Sequence, residues 1–145
     1  MNMVDVSKKP IIFREATAYG AINLKPETVQ LIRKGKVEKG DVFSLAKVAG
    51  VLAAKKTSEL IPLCHPLPLS DVNIRVEVAD ESKVTVEATV RASSKTGVEM
   101  EALVAISAAL LTIWDMTKQY EKDPKGQYPT TVISDVRVTR KVKKE

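Results

Sequence analysis

Val72-Asn-Ile-Arg-Val-Glu-Val-Ala-Asp80-Glu-Ser-Lys-Val84-Thr-Val-Glu-Ala-Thr-Val90 decides the fold. Val72, Ile74, Val76 and Val78 alternate with Asn73, Arg75 and Glu77. Val84, Val86 and Val90 alternate with Thr85, Glu87 and Thr89. A period of two predicts two strands, each burying one face. The polar Asp80–Lys83 turn between them makes a hairpin. Downstream, Ser94-Lys-Thr-Gly97 ends the second strand. Thr96-Gly-Val-Glu99 has the spacing of a capping box, and a long Ala-rich helix runs on to about Tyr120. A polar loop, Glu121–Thr131, precedes a last strand from about Val132 to Val142, with Val132, Val136, Val138 and Val142 mostly on one face.

Upstream lies Leu60-Ile-Pro-Leu-Cys-His-Pro-Leu-Pro-Leu69. Pro62, Pro66 and Pro68 exclude helix and central strand and predict a stiff, irregular loop. It carries the single cysteine, Cys64, beside the single histidine, His65. Before it, Asp41 is suited to cap a helix running to about Ser58, with Val42, Leu45, Ala46, Ala49, Leu52 and Ala53 as its apolar stripe. Pro26 opens a short helix to about Arg33. A strand is predicted from about Ile11 to Leu24, preceded by an arm of nine residues. The order β-α-α-β-β-α-β reduces to a split βαβ: an α+β, ferredoxin-like antiparallel sheet with helices packed on one face.

The 145 residues bound this to one domain, 1–145, with an arm at 1–9 and a basic tail at 143–145. One cysteine excludes an internal disulfide and is compatible with a reducing compartment. No basic-then-apolar leader opens the chain, and no apolar run is expected to approach the roughly 20 residues that span a bilayer. The expectation is a cytoplasmic protein. A net charge of +5 favours anionic ligands. Aromatics are 4% of residues and absent from the hairpin, which argues against stacking single-stranded nucleic acid.

Four polar clusters could carry chemistry. Lys39-Gly40-Asp41 precedes a helix N-terminus, a place for an anion, although a plain cap accounts for it as well. Lys55 and Lys56 end that helix, where cations complement the dipole. Glu99 and Glu101 open the long helix; capping explains Glu99 better than Glu101. Asp115 and Lys118 stand one turn apart, as a solvated ion pair or as an acid–base pair. Glu101 and Asp115 are about 21 Å apart at helical rise. Either they meet different ends of a long substrate, or they serve sites shared between subunits.

Met3-Val-Asp-Val-Ser7, Lys39-Gly-Asp-Val-Phe43, Ala53-Ala-Lys55, Leu60 to Leu67, Lys95-Thr-Gly-Val-Glu-Met-Glu-Ala-Leu103 and Leu111-Thr-Ile-Trp-Asp-Met116 together resemble the MoaC family of molybdenum cofactor biosynthesis. The resemblance runs in order over nearly the whole chain. It implies a phosphorus–oxygen lyase that turns 3′,8-cyclo-7,8-dihydroguanosine 5′-triphosphate, supplied by a radical enzyme, into cyclic pyranopterin monophosphate with release of pyrophosphate. It implies a homo-hexamer, a trimer of dimers with sites at dimer interfaces, and no cofactor, metal, nucleic acid or membrane. Carried over by motif, Lys39, Asp115 and Lys118 are catalytic. Leu63, Cys64, His65, Met100 and Glu101 line the substrate pocket, with Lys55 and Glu99 in support. Lys141 takes the position of a lysine expected to meet the triphosphate. On this reading Lys39 and His65 come from one chain, and Asp115 and Lys118 from its partner. Asn2 stands where many members have His, and the glycine-rich tail of many members is missing. A non-catalytic ferredoxin-like module that binds nucleotide or RNA is the alternative, but it would not need Lys39, Asp115 and Lys118 together.

Overall fold

The computed structural model describes residues 1–145. The chain forms β1 (Ile12–Asn23), α1 (Pro26–Arg33), α2 (Val42–Lys55), a short α3 (Thr57–Leu60), β2 (Leu69–Asp80), β3 (Lys83–Ser94), α4 (Glu99–Glu121) and β4 (Val132–Lys144). The hairpin forms as its alternation requires, with Ile74 opposite Ala88 and Val76 opposite Val86. Its turn is closed by the Ser82 N–H, which donates to Asp80 Oδ1 at 2.8 Å. The sheet runs β2-β3-β1-β4 with every neighbour antiparallel. This is the split βαβ arrangement, with helices on one face.

Small residues set how closely the layers meet. Ala16, Ala18 and Gly20 of β1 face α4 and are fully or nearly fully buried. A methyl group on Gly20 would stand 2.7 Å from Leu110 Cδ1. On α2, Gly50 lets the helix pass within touching distance of Ile74 and of the Ala105 carbonyl. The core closes around Ile22, Val84, Val86, Val90, Ile106, Leu110, Ile113 and Met116.

Several expectations are corrected. The buried stripe of α2 is Val42, Ala46, Gly50 and Ala54; Leu45, Val48 and Leu52 stay about half exposed on its outer side. The helix breaks at Lys56, so Leu60 ends α3 instead of opening the proline loop. No capping box forms at Thr96: the N-cap is Val98, without a side-chain bond, and the Thr96 hydroxyl turns to the Gly97 carbonyl. Glu121 belongs to α4 and is fully buried. In β4 the valines do not form a core face. Val132, Val136 and Val138 remain 52%, 44% and 36% exposed. Asp135 adopts φ 60°, and the pairing with β1 shifts register there, which breaks the alternation. By length and composition alone α4 is long and apolar enough to cross a bilayer, against expectation. Here it is the central core helix, with ten buried residues.

Candidate functional site

α2 packs antiparallel on α4, because the loop before α2 meets the C-terminal end of α4, and the loop after α3 meets its N-terminal end. The predicted residues other than Lys55 therefore fall into two clusters, one at each end of α4.

At the C-terminal end, Asp115 is held between two ammonium groups. Lys118 Nζ lies 3.0 Å from its Oδ1 and Lys39 Nζ lies 3.2 Å from its Oδ2. Lys39 also donates to the Asp115 carbonyl at 2.8 Å. The Lys118 contact above all, with Lys39 behind it, holds the Asp115 carboxyl below its ordinary range, and the same pairing raises Lys118. All three side chains are 42–60% exposed. Lys39 thus meets Asp115 within one chain, which overturns the expectation that they come from different subunits. The physical reason is the antiparallel α2–α4 pairing, invisible in local sequence.

Sequence reasoning missed the residues that fix this corner. The Glu38 N–H donates to the Tyr120 hydroxyl at 2.9 Å, and Gln119 Nε2 donates to Glu38 Oε2 at 3.1 Å. Glu121 caps α1 from outside. It accepts from the Lys25 N–H at 3.0 Å, from the Thr28 hydroxyl and, at 2.6 Å, from the Thr131 hydroxyl. Its signal in sequence was slight: Lys25 offers α1 no capping acceptor, and the groups Glu121 holds are the backbone N–H of Lys25 itself and the Thr28 side chain, which local sequence does not mark.

At the N-terminal end of α4 the proline-fenced loop brings Cys64 Sγ to 3.9 Å from Glu101 Oε2. Glu101 is 3% exposed, and its Oε1 has no partner. Burial raises its carboxyl pKa, and Glu99 adds to the shift. Burial, with the Glu101 charge, likewise raises the Cys64 thiol. Lys141 reaches across from β4 to Glu99 Oε1 at 3.1 Å. His65 Nε2 lies 2.7 Å from the Val4 carbonyl oxygen. Leu63 and Met100 stand exposed beside them, at 45% and 37%. Lys55 is not drawn in. It is exposed at the end of α2, beside a hollow of about 320 Å³ shared with Val51 and residues 69–72.

A hollow of about 980 Å³ lies between the α1–α2 loop and β2 and includes neither cluster. Neither cluster is a closed pocket in one chain. Each offers charged groups at a helix end, beside exposed apolar side chains.

The MoaC family model matches residues 3–144. The chain is 57% identical over 141 residues to a Sulfolobus acidocaldarius protein named "Probable cyclic pyranopterin monophosphate synthase", spanning 97% of this chain and 98% of that one. A Thermococcus kodakarensis protein of the same name is 58% identical over 147 residues, covering 100% and 92%. A Methanothermobacter thermautotrophicus protein named as that enzyme's probable accessory protein is 52% identical over 145 residues, covering 100% and 91%.

Proposed function

The chain belongs to the MoaC family, and from that premise we propose that it is a cyclic pyranopterin monophosphate synthase of molybdenum cofactor biosynthesis. The observation that carries the reading is the Lys39–Asp115–Lys118 cluster, assembled from distant positions on a rigid corner. The substrate is the 3′,8-cyclised dihydroguanosine triphosphate. The reaction opens the five-membered ring of the purine, rebuilds it as a pterin, and closes a cyclic phosphate with loss of pyrophosphate. As a reaction class it is a phosphorus–oxygen lyase.

The two clusters divide this work. Asp115 is kept ionised, and Glu101 is pushed towards its neutral acid form. Carboxyls driven apart in this way suit different proton roles. Glu101 is placed to give and take a proton at the ring. Lys39 and Lys118 are placed to offset charge as the phosphate closes and pyrophosphate leaves. Leu63, Cys64, His65 and Met100 surround the purine-derived part, with Lys55 and Glu99 in support. Lys141 exchanges Glu99 for a phosphate oxygen when substrate enters.

The clusters are about 21 Å apart along α4, too far for one compact ligand. The site therefore pairs the Lys39–Asp115–Lys118 end of one chain with the His65–Glu101 end of a second. Leu45, Val48 and Leu52 of α2 and Leu111 of α4 leave an apolar band on the outer helix face. A second copy covers that band, and three such dimers make the hexamer, in the cytoplasm. Purified protein given the cyclised triphosphate should release pyrophosphate. Lys39→Ala, Asp115→Ala and Lys118→Ala should each lose about a hundredfold or more while staying folded. No pyrophosphate from the wild-type hexamer would overturn the reading.

A further inference from the structure

The arm of residues 1–9 is largely exposed, yet it is fastened at two points. It carries its own turn: Asp5 Oδ1 accepts from the Ser7 N–H at 2.9 Å, and the Lys9 N–H donates to the Val6 carbonyl at 3.0 Å. Lys95 Nζ donates to the Ser7 carbonyl at 3.4 Å. Lys95 is itself fixed by Arg14, a buried guanidinium that donates to the Ser94 and Lys95 carbonyls at 3.2 Å each. The other fastening is the 2.7 Å contact of His65 Nε2 with the Val4 carbonyl.

That second contact has a chemical consequence. A carbonyl oxygen only accepts, so the ring nitrogen facing it must carry the proton. A neutral imidazole protonated at Nε2 has one basic atom left, Nδ1. We propose that the arm is a positioning device: the Val4 carbonyl holds His65 as its Nε2–H tautomer, leaving Nδ1 to accept a proton or hydrogen bond from substrate. A fixed acceptor orients a catalytic histidine in the same way wherever one nitrogen must be kept free. The role towards substrate rests on the reading above; the tautomer rests on the geometry alone. Val4 is 73% exposed, so bonds and not burial hold the arm, and displacing it releases the ring.

The sole histidine gives a single imidazole spin system, so ring-nitrogen NMR on labelled protein reads the tautomer directly. At a pH where the ring is uncharged, the full chain should show a proton-bearing Nε2 and a bare Nδ1. A chain lacking residues 1–6 should move both nitrogens towards the averaged shifts of a ring exchanging tautomers, and kcat should fall about tenfold, less than full loss of acid–base catalysis costs. If that truncation unfolds, Lys95→Ala should move the nitrogens the same way by a smaller amount. A proton on Nδ1 in the full chain, or ring nitrogens that ignore both changes, overturns the device. If the tautomer follows the arm and no form releases pyrophosphate, the device stands and the reaction reading falls.

Discussion

Glu101 costs stability as its buried carboxyl ionises. It is 3% exposed with an unpartnered Oε1, and burial raises its pKa. Because its folded pKa lies above the unfolded one, the unfolded chain releases this proton first, and stability falls as pH rises from about 4.5 towards the folded value. Glu101→Gln removes that loss. It should raise Tm by about 4 °C near neutral pH, as about 1 kcal/mol does in a domain this size, with no gain below pH about 4.5, while pyrophosphate release collapses. Thermal melts across pH check it; a gain independent of pH would reject the charged group as the cause. Asp115 has the opposite sign. Its carboxyl is lowered, so the pairing contributes above its ordinary range and is lost as pH falls through the folded value. Lys118→Ala should move the Asp115 carboxyl titration, followed by carbon NMR, to higher pH; an unmoved titration would show that Lys39 alone holds it.

The decisive element is α4. Its first turn carries Glu99, Met100 and Glu101, its fifth and sixth turns carry Asp115 and Lys118, and its last residue is a buried clamp. Glu121 ties α4 to the start of α1 and to Thr131 ahead of β4. Glu121→Ala leaves three donors without an acceptor in places that water barely reaches. It should cost on the order of 3 kcal/mol, measured by denaturant unfolding. Tyr120 and Gln119, its neighbours, hold Glu38 and so set Lys39 against Asp115. A cost below ~1 kcal/mol would mean that ordered water replaces the carboxylate.

At the scale of the whole molecule, lesions on two chains complement only if both fall in one shared site and leave the other intact. Lys39 and Asp115 share one corner, so coexpressed Lys39→Ala and Asp115→Ala chains should recover nothing. Coexpressed Lys118→Ala and Glu101→Gln chains place both lesions in one shared site and leave the other intact. Mixed dimers should then recover up to about half of a dimer's activity under two-fold symmetry. No recovery, with subunit exchange demonstrated, would place both ends of α4 in one site of a single chain or make every site dependent on the others.

The hairpin, the strand β1, the Asp41 cap and the long helix were legible because each is written in local periodicity or a single capping side chain. So were the residue types of both clusters, which sit in short motifs. The expected capping box at Thr96 does not form, because Ser94 and Thr96 turn their hydroxyls to nearby carbonyls and the N-cap falls two residues later, at Val98. Of the expected α2 stripe, Val42 and Ala46 are buried but Leu45 and Leu52 lie on the outer side; they are more apolar than Gly50, and hydropathy cannot register that a missing Cβ is what allows close packing. By itself the sequence determined the elements, their order and the family, since these follow from contacts a few residues apart and from short motifs. Tertiary structure alone decided which ends of α2 and α4 meet. That places Lys39 on Asp115, Cys64 on Glu101, Glu121 under α1 and Val4 on His65. These partners lie between 37 and 96 residues apart, and only packing of the helices on the sheet fixes such distances.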